Sequence, residues 1–186
     1  MPRSRLKVLF LVESLSGGGA EKVLSGLVRG LDRERFDVTV CTVVDCGPYR
    51  EEVGKYAHYR TIVGGRGWLY RLKYALVYRF LPAGWIYKWC IAGDYDVEAA
   101  FTEGFPTRLL AAAPEGKARR LAWVHVDLEA RPWTQGLVFR SLEEERKAYA
   151  RFQTVAHVSQ TVREAFERRF GAHAGSVVLH NPVDRD

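Results

Sequence analysis

Residues 6–31 read LKVLFLVESLSGGGAEKVLSGLVRGL, and this stretch carries the strongest fold signal in the chain. Leu6–Val12 is a continuous apolar run between polar residues, which predicts a buried strand. Beyond the glycine loop Gly17-Gly18-Gly19, apolar residues recur at the spacing of one helix face: Ala20, Val23, Leu24, Leu27, Val28 and Leu31. The stretch therefore predicts a strand, a glycine loop and a helix.

The same alternation continues to the end of the chain. Further strands are predicted near residues 36–44, 59–63, 94–101, 120–126, 154–158 and 176–179. Helices are predicted near residues 49–57, 66–81, 106–113 and 135–152, and after a cap at Ser159 or Thr161. Parallel strands need such crossovers. The pattern predicts an α/β fold, a doubly wound, mainly parallel Rossmann-like sheet of about seven strands with helices on both faces.

Composition places the chain among folded domains. Its 186 residues are 47% hydrophobic and 27% charged, which excludes a disordered tail and a collagen-like chain. Three cysteines are too few for a disulfide framework, so a reducing compartment is favoured. The first apolar run is too short for a signal peptide, and no run is long enough to span a membrane. We expect a cytoplasmic protein, with the inner face of the membrane as a further place of action.

Positive charge is concentrated in one segment. Residues 53–93 contain no acidic residue and seven cations, namely Lys55, Arg60, Arg66, Arg71, Lys73, Arg79 and Lys88. In the helix predicted there, one face holds Trp68, Leu69, Leu72, Ala75, Leu76 and Phe80 and is expected to pack on the sheet. The opposite face holds Tyr70, Tyr74 and Tyr78, flanked by Arg66, Arg71 and Lys73.

This basic and aromatic face suits an anionic membrane surface. An ordinary core helix with a solvated basic face is the alternative. Stacking of single-stranded nucleic acid on the rings is a third reading, disfavoured because the sequence contains no known nucleic-acid module.

Ligands of doubly wound sheets bind beyond the carboxyl ends of the strands, so the residues there are candidates. The loop Gly17-Gly18-Gly19 can expose backbone amides at a helix N-terminus, where a phosphate or diphosphate is favoured. A tight turn without a ligand is the alternative. The loop lacks the dinucleotide pattern G-x-G-x-x-G, because Lys22 stands where the last glycine would be, and it is not a Walker A loop.

Two further candidates follow later strands. His125 ends the fifth predicted strand and could orient or polarise a hydroxyl or a sugar, or be a structural hydrogen-bond donor. Glu103, beside Gly104, could accept hydrogen bonds from a hydroxyl-rich ligand or act as a base, or be a solvated loop carboxylate. Cys41 and Cys46 have no second pair, so no metal site is predicted.

Several of these residues resemble the glycosyltransferase family 4. The residues are Lys7 to Val12 followed by Gly17-Gly18-Gly19-Ala20-Glu21-Lys22-Val23, then Ala156-His157-Val158-Ser159-Gln160, then Val177 to Asp184. The resemblance implies one of two facing Rossmann-like domains of GT-B architecture. It also implies transfer of a hexosyl group from a nucleotide-sugar donor with retention of configuration, without metal or other cofactor. His125 stands where that family often has a histidine near the reacting sugar.

In that family the motif Asn181-Pro182-Val183-Asp184 lies at the start of the linker to the donor-binding domain. We therefore expect residues 1–186 to be a single acceptor-side domain that lacks its carboxy-terminal donor domain and is inactive alone. In the intact enzyme we expect Gly17, Gly18 and Gly19 to lie against the donor diphosphate and the acceptor, and Glu103 with Gly104 to line the acceptor cleft. The expected partners are a sugar or lipid-linked acceptor, the missing donor domain and an anionic membrane, with no nucleic acid. Glu13 and Glu21 share the spacing of the family's Glu-x7-Glu motif, which we interpret as coincidence because that motif belongs to the donor domain.

Two rival functions remain open from the residues alone. One is a non-catalytic module on a Rossmann scaffold that docks on membranes or on a partner. The other is a nucleotide-binding oxidoreductase of the NAD type, which Lys22 disfavours.

Overall fold

The computed structural model describes residues 5–65 and 67–182, and these form one seven-stranded sheet. The strands are β1 (Leu6–Val12), β2 (Phe36–Val44), β3 (His58–Val63), β4 (Val97–Ala100), β5 (Arg119–Val124), β6 (Thr154–His157) and β7 (Ser176–Val178). Their order is β3-β2-β1-β4-β5-β6-β7, and every neighbouring pair is parallel. The predicted doubly wound parallel sheet is confirmed.

Seven α-helices lie within the described ranges and connect the strands. They are α1 (Gly19–Gly30), α2 (Arg50–Tyr56), α3 (Gly67–Ala75), α4 (Ala83–Ile86), α5 (Phe105–Ala111), α6 (Leu142–Tyr149) and α7 (Gln160–Phe170). Two of them continue as π-helical turns, α3 into Leu76–Phe80 and α4 into Tyr87–Ile91. Within the described ranges, none of the helices is long and apolar enough to cross a lipid bilayer.

The apolar residues of β1 alternate between two cores because successive strand side chains point to opposite faces. Val8, Phe10 and Val12 join the core on which α1 and α2 pack. Leu9 and Leu11 join the core formed with the helices from α3 to α7. Helices therefore cover both faces of the sheet, as predicted, and β1 is buried on both sides.

The helix predicted over residues 135–152 is shorter in the structure. Gly136 has a φ of +80°, which is outside helical geometry, and its amide donates to the Phe139 carbonyl over 2.7 Å. The helix begins only after Ser141, whose hydroxyl accepts from the Glu144 amide over 3.2 Å as an N-cap. Residues 135–139 instead form a turn that buries Phe139 in the core.

The faces of α3 are reversed relative to the prediction. Trp68, at 72% exposure, and Phe80, at 68%, point away from the sheet, as do Leu69, Leu72 and Leu76. Tyr70 and Tyr78 instead pack against the core. The reason is a run of stacked rings, in which Tyr78 lies 4.3 Å from Tyr74 and 4.4 Å from Phe105 of α5. The packing of this tyrosine row on Phe105 therefore determines which side of the helix faces the sheet, and the aliphatic side faces outward.

A buried polar cluster attaches this helical segment to the sheet. The Tyr87 hydroxyl donates to the Glu98 carboxylate over 2.5 Å, and the Arg120 guanidinium contacts the other oxygen of Glu98 at 3.2 Å. Arg120 also donates to the carbonyl of Pro114. Because Glu98 and Arg120 are almost fully buried, the loss of either side chain would leave the charge of the other without its ion-pair partner. These contacts attach the π-helical turn after α4 to β4 and β5, and so they hold the helical segment between β3 and β4 against the sheet.

The central position of β1 gives a stability prediction. Leu11 is fully buried, so Leu11→Ala is expected to lower the free energy of unfolding by about 2–5 kcal/mol through lost burial and the cavity left behind. Leu137→Ala is the matched control, because Leu137 is 77% exposed and its truncation should change stability by less than about 0.5 kcal/mol. Urea denaturation with an unchanged m-value measures both, and equal losses would contradict the assignment.

Candidate active site

The strand order reverses at β1, since the chain winds outward through β2 and β3 and then returns to the other side at β4. Such a switch point opens a crevice beyond the carboxyl ends of the strands. Leu11 pairs with Ala100 and Ala100 with Ala122, so the ends of β1, β4 and β5 are level. The glycine loop, residues 102–104 and His125 follow these three ends, so the predicted site residues share one edge.

The glycine loop is exposed at the start of α1. Gly17 adopts a φ of +107°, which favours glycine, and Gly18 is an extended N-cap without a side-chain cap. The first helical bond is donated by the Lys22 amide to the Gly18 carbonyl over 3.1 Å. The amides of residues 19–21 precede it and are not used within the helix. This end of α1 therefore carries the partial positive charge of a helix N-terminus, and the Glu21 carboxylate of its first turn lies beside Gly18.

A neighbouring turn holds the approach to this loop in place. The Leu15 amide donates to the Cys46 carbonyl over 3.0 Å, and Gly47 packs so closely on Leu15 that a Cβ would collide with its backbone. Gly47 also has a φ of +113°. The turn after β2 thus positions the chain that leads into the glycine loop, although the loop itself stays open.

Glu103 is buried and bound to the backbone of the next strand. One carboxylate oxygen accepts hydrogen bonds from the amides of His125 and Val126, the latter over 2.8 Å. Burial raises the pKa of Glu103, and the backbone hydrogen bonds oppose that rise. Gly104 has a φ of +83°, and the Trp133 ring packs where its Cβ would lie. The structure thus places Glu103 as a link between two strand ends rather than as a solvated loop carboxylate.

His125 is a half-buried, neutral imidazole. Its ring lies 5.0 Å from the ring of Phe101 and 5.8 Å from that of Trp123. Burial lowers the pKa of His125 to about 4, although a hydrogen bond to the Phe101 backbone opposes the shift. Nε2 is buried and has no hydrogen-bond partner within residues 5–65 and 67–182. A buried ring nitrogen without a hydrogen-bond partner lowers the stability of the fold, and such groups are typical of ligand-binding sites.

Sequence reasoning missed Glu13 as a candidate. It is the first residue after β1, it is half-buried, and burial raises the pKa of its carboxyl to about 7. Burial is the main cause of the raised pKa of Tyr74 on α3, and the charge of Glu13 adds to it. The signal was its position at the end of the central strand. In the sequence analysis Glu13 was considered only for its Glu-x7-Glu spacing to Glu21.

Only some of the residues that were predicted to face a membrane lie on the exposed surface of α3. Arg71 and Lys73 are exposed, whereas Tyr70 is half-buried against the core and Tyr74 is 42% exposed. Arg66 lies outside the described residues. The exposed ring and aliphatic side chains near these cations come from the face that was expected to be buried.

The surroundings of Glu103 predict a pH effect on stability. A carboxyl whose pKa is raised on folding stabilises the fold below its unfolded pKa, and this contribution is lost as the pH rises through the folded pKa. Glu103→Gln keeps an oxygen for both amides and removes the buried charge. The free energy of unfolding at pH 8 should therefore be equal to or higher than that of the wild type.

Glu103→Ala is the complementary change. It leaves two backbone amides unpaired and should cost about 2–5 kcal/mol at pH 5 and at pH 8. Exposed Glu34 provides the control Glu34→Gln. Urea unfolding at both pH values measures all three variants, and a large loss in Glu103→Gln at pH 8 would show that the charge itself stabilises the fold.

Several solved structures share this fold. The lipopolysaccharide outer core galactosyltransferase WaaB in its apo form is 17% identical with a TM-score of 0.61, covering 97% of this chain and 47% of that one. Anabaena HepE in complex with UDP-glucose is 21% identical with a TM-score of 0.66, covering 97% and 45%. HepE with UDP and glucose is 23% identical with a TM-score of 0.64. The chain thus spans about half the length of these proteins.

Comparison with curated protein sequences gives no match. The model of Glycosyltransferase Family 4 matches residues 17–186, from the glycine loop to the last residue. That range includes every strand from β2 to β7 and all the candidate residues except Glu13. The chain belongs to Glycosyltransferase Family 4.

Proposed function

We propose that the chain is the acceptor-side domain of a retaining, nucleotide-sugar-dependent glycosyltransferase of glycan, glycolipid or cell-envelope synthesis. The observation that carries the proposal is the shared edge of the sheet, where the N-terminus of α1 follows β1 and the neutral His125 follows β5, two strands away. The family membership and the coverage of about half of each related structure support a second, donor-binding domain facing this edge. HepE binds UDP-glucose, which supports a nucleotide sugar as the donor.

The two groups suit the two ends of the bond that breaks. Charge develops on the diphosphate as it leaves the sugar, and the amides at the start of α1 are fixed donors that favour negative charge. His125 is neutral near pH 7, so it can exchange a hydrogen bond with a sugar or acceptor hydroxyl without bringing positive charge beside the sugar. Glu103 acts through the backbone, since it fixes the strand end that carries His125.

The transfer assay tests this function. The 186-residue chain incubated with UDP-glucose and a total lipid extract should transfer no sugar, whereas the protein expressed with its downstream coding sequence should do so. In the active protein, His125→Ala should lower kcat by about 10²–10³-fold. His58→Ala is the control, because His58 is exposed at the start of β3, on the opposite edge of the sheet. Transfer by the 186-residue chain alone would contradict the two-domain proposal.

We also propose that the outward face of α3 and α4 docks on an anionic membrane. Its exposed apolar side chains are Trp68, Leu69, Leu72, Leu76, Phe80, Trp85 and Trp89. Arg71, Lys73, Arg79 and Lys88 are exposed among them, and no acidic residue occurs in residues 53–93. Tryptophan and cationic residues around an apolar face are typical of helices that lie in the membrane interface. We name this the docking face.

Vesicle flotation tests the docking face. Binding to vesicles rich in phosphatidylglycerol should exceed binding to neutral phosphatidylcholine vesicles and should weaken in high salt, because each cation contributes about 1 kcal/mol. Arg71→Glu with Lys73→Glu should weaken binding at least about tenfold, as should Trp68→Ala with Phe80→Ala.

Arg140→Glu with Lys147→Glu is the matched control for the charge reversals. Both residues are exposed and lie at the start of α6 and within it, outside the docking face, so the net charge changes equally. Binding should stay within about twofold of the wild type. Equal loss in both charge variants would mean that net charge alone drives binding, and no flotation at low salt would contradict the docking role.

A further inference from the structure

Trp133, in the loop between β5 and α6, is an exposed aromatic side chain that the proposed mechanism does not use. Its indole is 45% exposed. The tip of the six-membered ring meets Gly104, since an ideal Cβ on that glycine would lie 2.6 Å from Cη2 and 3.2 Å from Cζ3 of the indole. A side chain at position 104 would therefore displace the ring. The contact fixes the tip of the indole and leaves much of its surface open to a ligand.

The chain around Trp133 is held in place on both sides. The Trp133 amide donates to the Arg131 carbonyl over 2.9 Å. The next residue, Thr134, is fully buried, and its hydroxyl donates to the buried carboxylate of Glu145 over 2.6 Å. Because the backbone that carries the indole is fixed, little conformational entropy would be lost when a ligand binds to the ring.

Two neighbouring contacts bring Trp133 and His125 onto one wall of the carboxyl edge. Glu103 accepts hydrogen bonds from the amides of His125 and Val126, and the next residue, Gly104, meets the Trp133 ring. Consecutive Cα atoms are only about 3.8 Å apart, so both contacts lie at the same point of the loop after β4. Nε2 of His125 has no hydrogen-bond partner among the residues that the structure describes. The wall thus combines an open aromatic surface with a ring nitrogen that lacks a hydrogen bond.

The same wall extends toward the docking face. Phe105 follows Gly104 at the start of α5, and its ring stacks on the ring of Tyr78 at 4.4 Å. Tyr78 belongs to the π-helical turn Leu76–Phe80, whose first and last side chains are part of the docking face. A continuous set of contacts therefore leads from the docking face to Trp133 and on to His125.

This combination of groups selects a ring with apolar faces and a hydroxyl-bearing rim. An indole presents broad apolar faces, on which the C–H groups of a sugar ring can pack. The hydroxyls of such a ring point sideways, where they can donate to or accept from polar partners. A purely apolar ligand would leave Nε2 of His125 without a hydrogen bond, which is unfavourable for a buried group. A quaternary ammonium also stacks on indoles and is therefore the comparison in the test.

We propose that Trp133 is the platform on which the sugar ring of the acceptor stacks, between the docking face and His125. This proposal rests on the proposed function for the identity of its ligand. One face of the sugar packs on the indole, and a hydroxyl on its rim reaches the histidine. Gly104 is a positioning residue, because it admits the tip of the indole.

Sugar binding to the 186-residue chain tests the platform directly. The probes are the methyl α-glycosides of glucose, galactose, mannose and N-acetylglucosamine, titrated one at a time while the indole N–H signals of the five tryptophans are followed by NMR. The Trp133 signal, identified by its loss in Trp133→Phe, should shift more than the others with at least one probe. Trp68, Trp85 and Trp89 are more exposed than Trp133 and report unspecific stacking.

Choline chloride is the cationic comparison, and it should leave the Trp133 signal in place. A larger shift with choline than with any sugar would overturn the platform, as would a Trp133 signal that no sugar moves. Equal shifts of all the exposed tryptophans would also overturn it, because the stacking would then be unspecific.

Three variants distinguish a binding role from a structural one. Trp133→Leu keeps apolar bulk against Gly104 but removes the flat ring, and it should weaken binding of the responding probe at least about fivefold. Trp133→Phe keeps a flat ring and should bind within about twofold of the wild type. Leu137→Ala, which truncates an exposed side chain of the same loop, should bind as the wild type does. Unchanged binding by a folded Trp133→Leu, or equal losses in Trp133→Leu and Trp133→Phe, would overturn the proposal.

The transfer assay separates failure of the platform from failure of the proposed function. In the active longer protein, Trp133→Leu should raise the acceptor KM, measured with the lipid extract, at least about fivefold and leave the donor KM within about twofold. An unchanged acceptor KM, or a rise in the donor KM alone, would overturn the platform and leave the glycosyltransferase function standing. A longer protein that transfers no sugar would overturn the function and the acceptor role together, even where a sugar probe binds at Trp133.

Discussion

The carboxylate of Glu103 holds the ends of two strands together by accepting hydrogen bonds from the amides of His125 and Val126. Both amides lie where β5 has ended, so no neighbouring strand satisfies them. Without this acceptor the loop after β5 would lose its attachment to the loop after β4. That one buried oxygen thus fixes the backbone position of His125, and the Trp133 ring packs on Gly104 beside Glu103.

Around this link, the electrostatic character of the edge changes over a short distance. The start of α1 favours negative charge, His125 is neutral, and burial makes the carboxyl groups of Glu13 and Glu103 harder to ionise. This arrangement of charged and neutral groups along the edge suits a reaction in which charge appears at one end of a ligand while the other end stays uncharged. Burial is the largest cause of the shifted pKa in each of these three side chains.

The sheet could be predicted from sequence because its strands are short apolar runs separated by amphipathic helices, and both signals are local. The position of the glycine loop and of His125 followed from the strand ends. The start of α6 was predicted too early, because Val138 and Leu142 have the spacing of one helix face, although Ser141 and Glu144 have the spacing of a capping box. The prediction of which α3 face packs on the sheet was wrong, because it used hydrophobicity alone. The stacking of Tyr78 on Phe105 depends on a partner far away in the chain. Glu13 was missed because its burial is a property of the folded edge.

The two π-helical turns have a consequence for how this domain changes over time. Each closes with a backbone hydrogen bond that spans one residue more than in an α-helix, from Leu81 to Leu76 at 2.9 Å and from Ala92 to Tyr87 at 2.8 Å. A helix that already contains such a turn can absorb the insertion or deletion of a residue by converting between the two forms. The register of the sheet is then undisturbed. The segment between β3 and β4 can therefore change in length by single residues while the carboxyl edge of the sheet keeps its geometry.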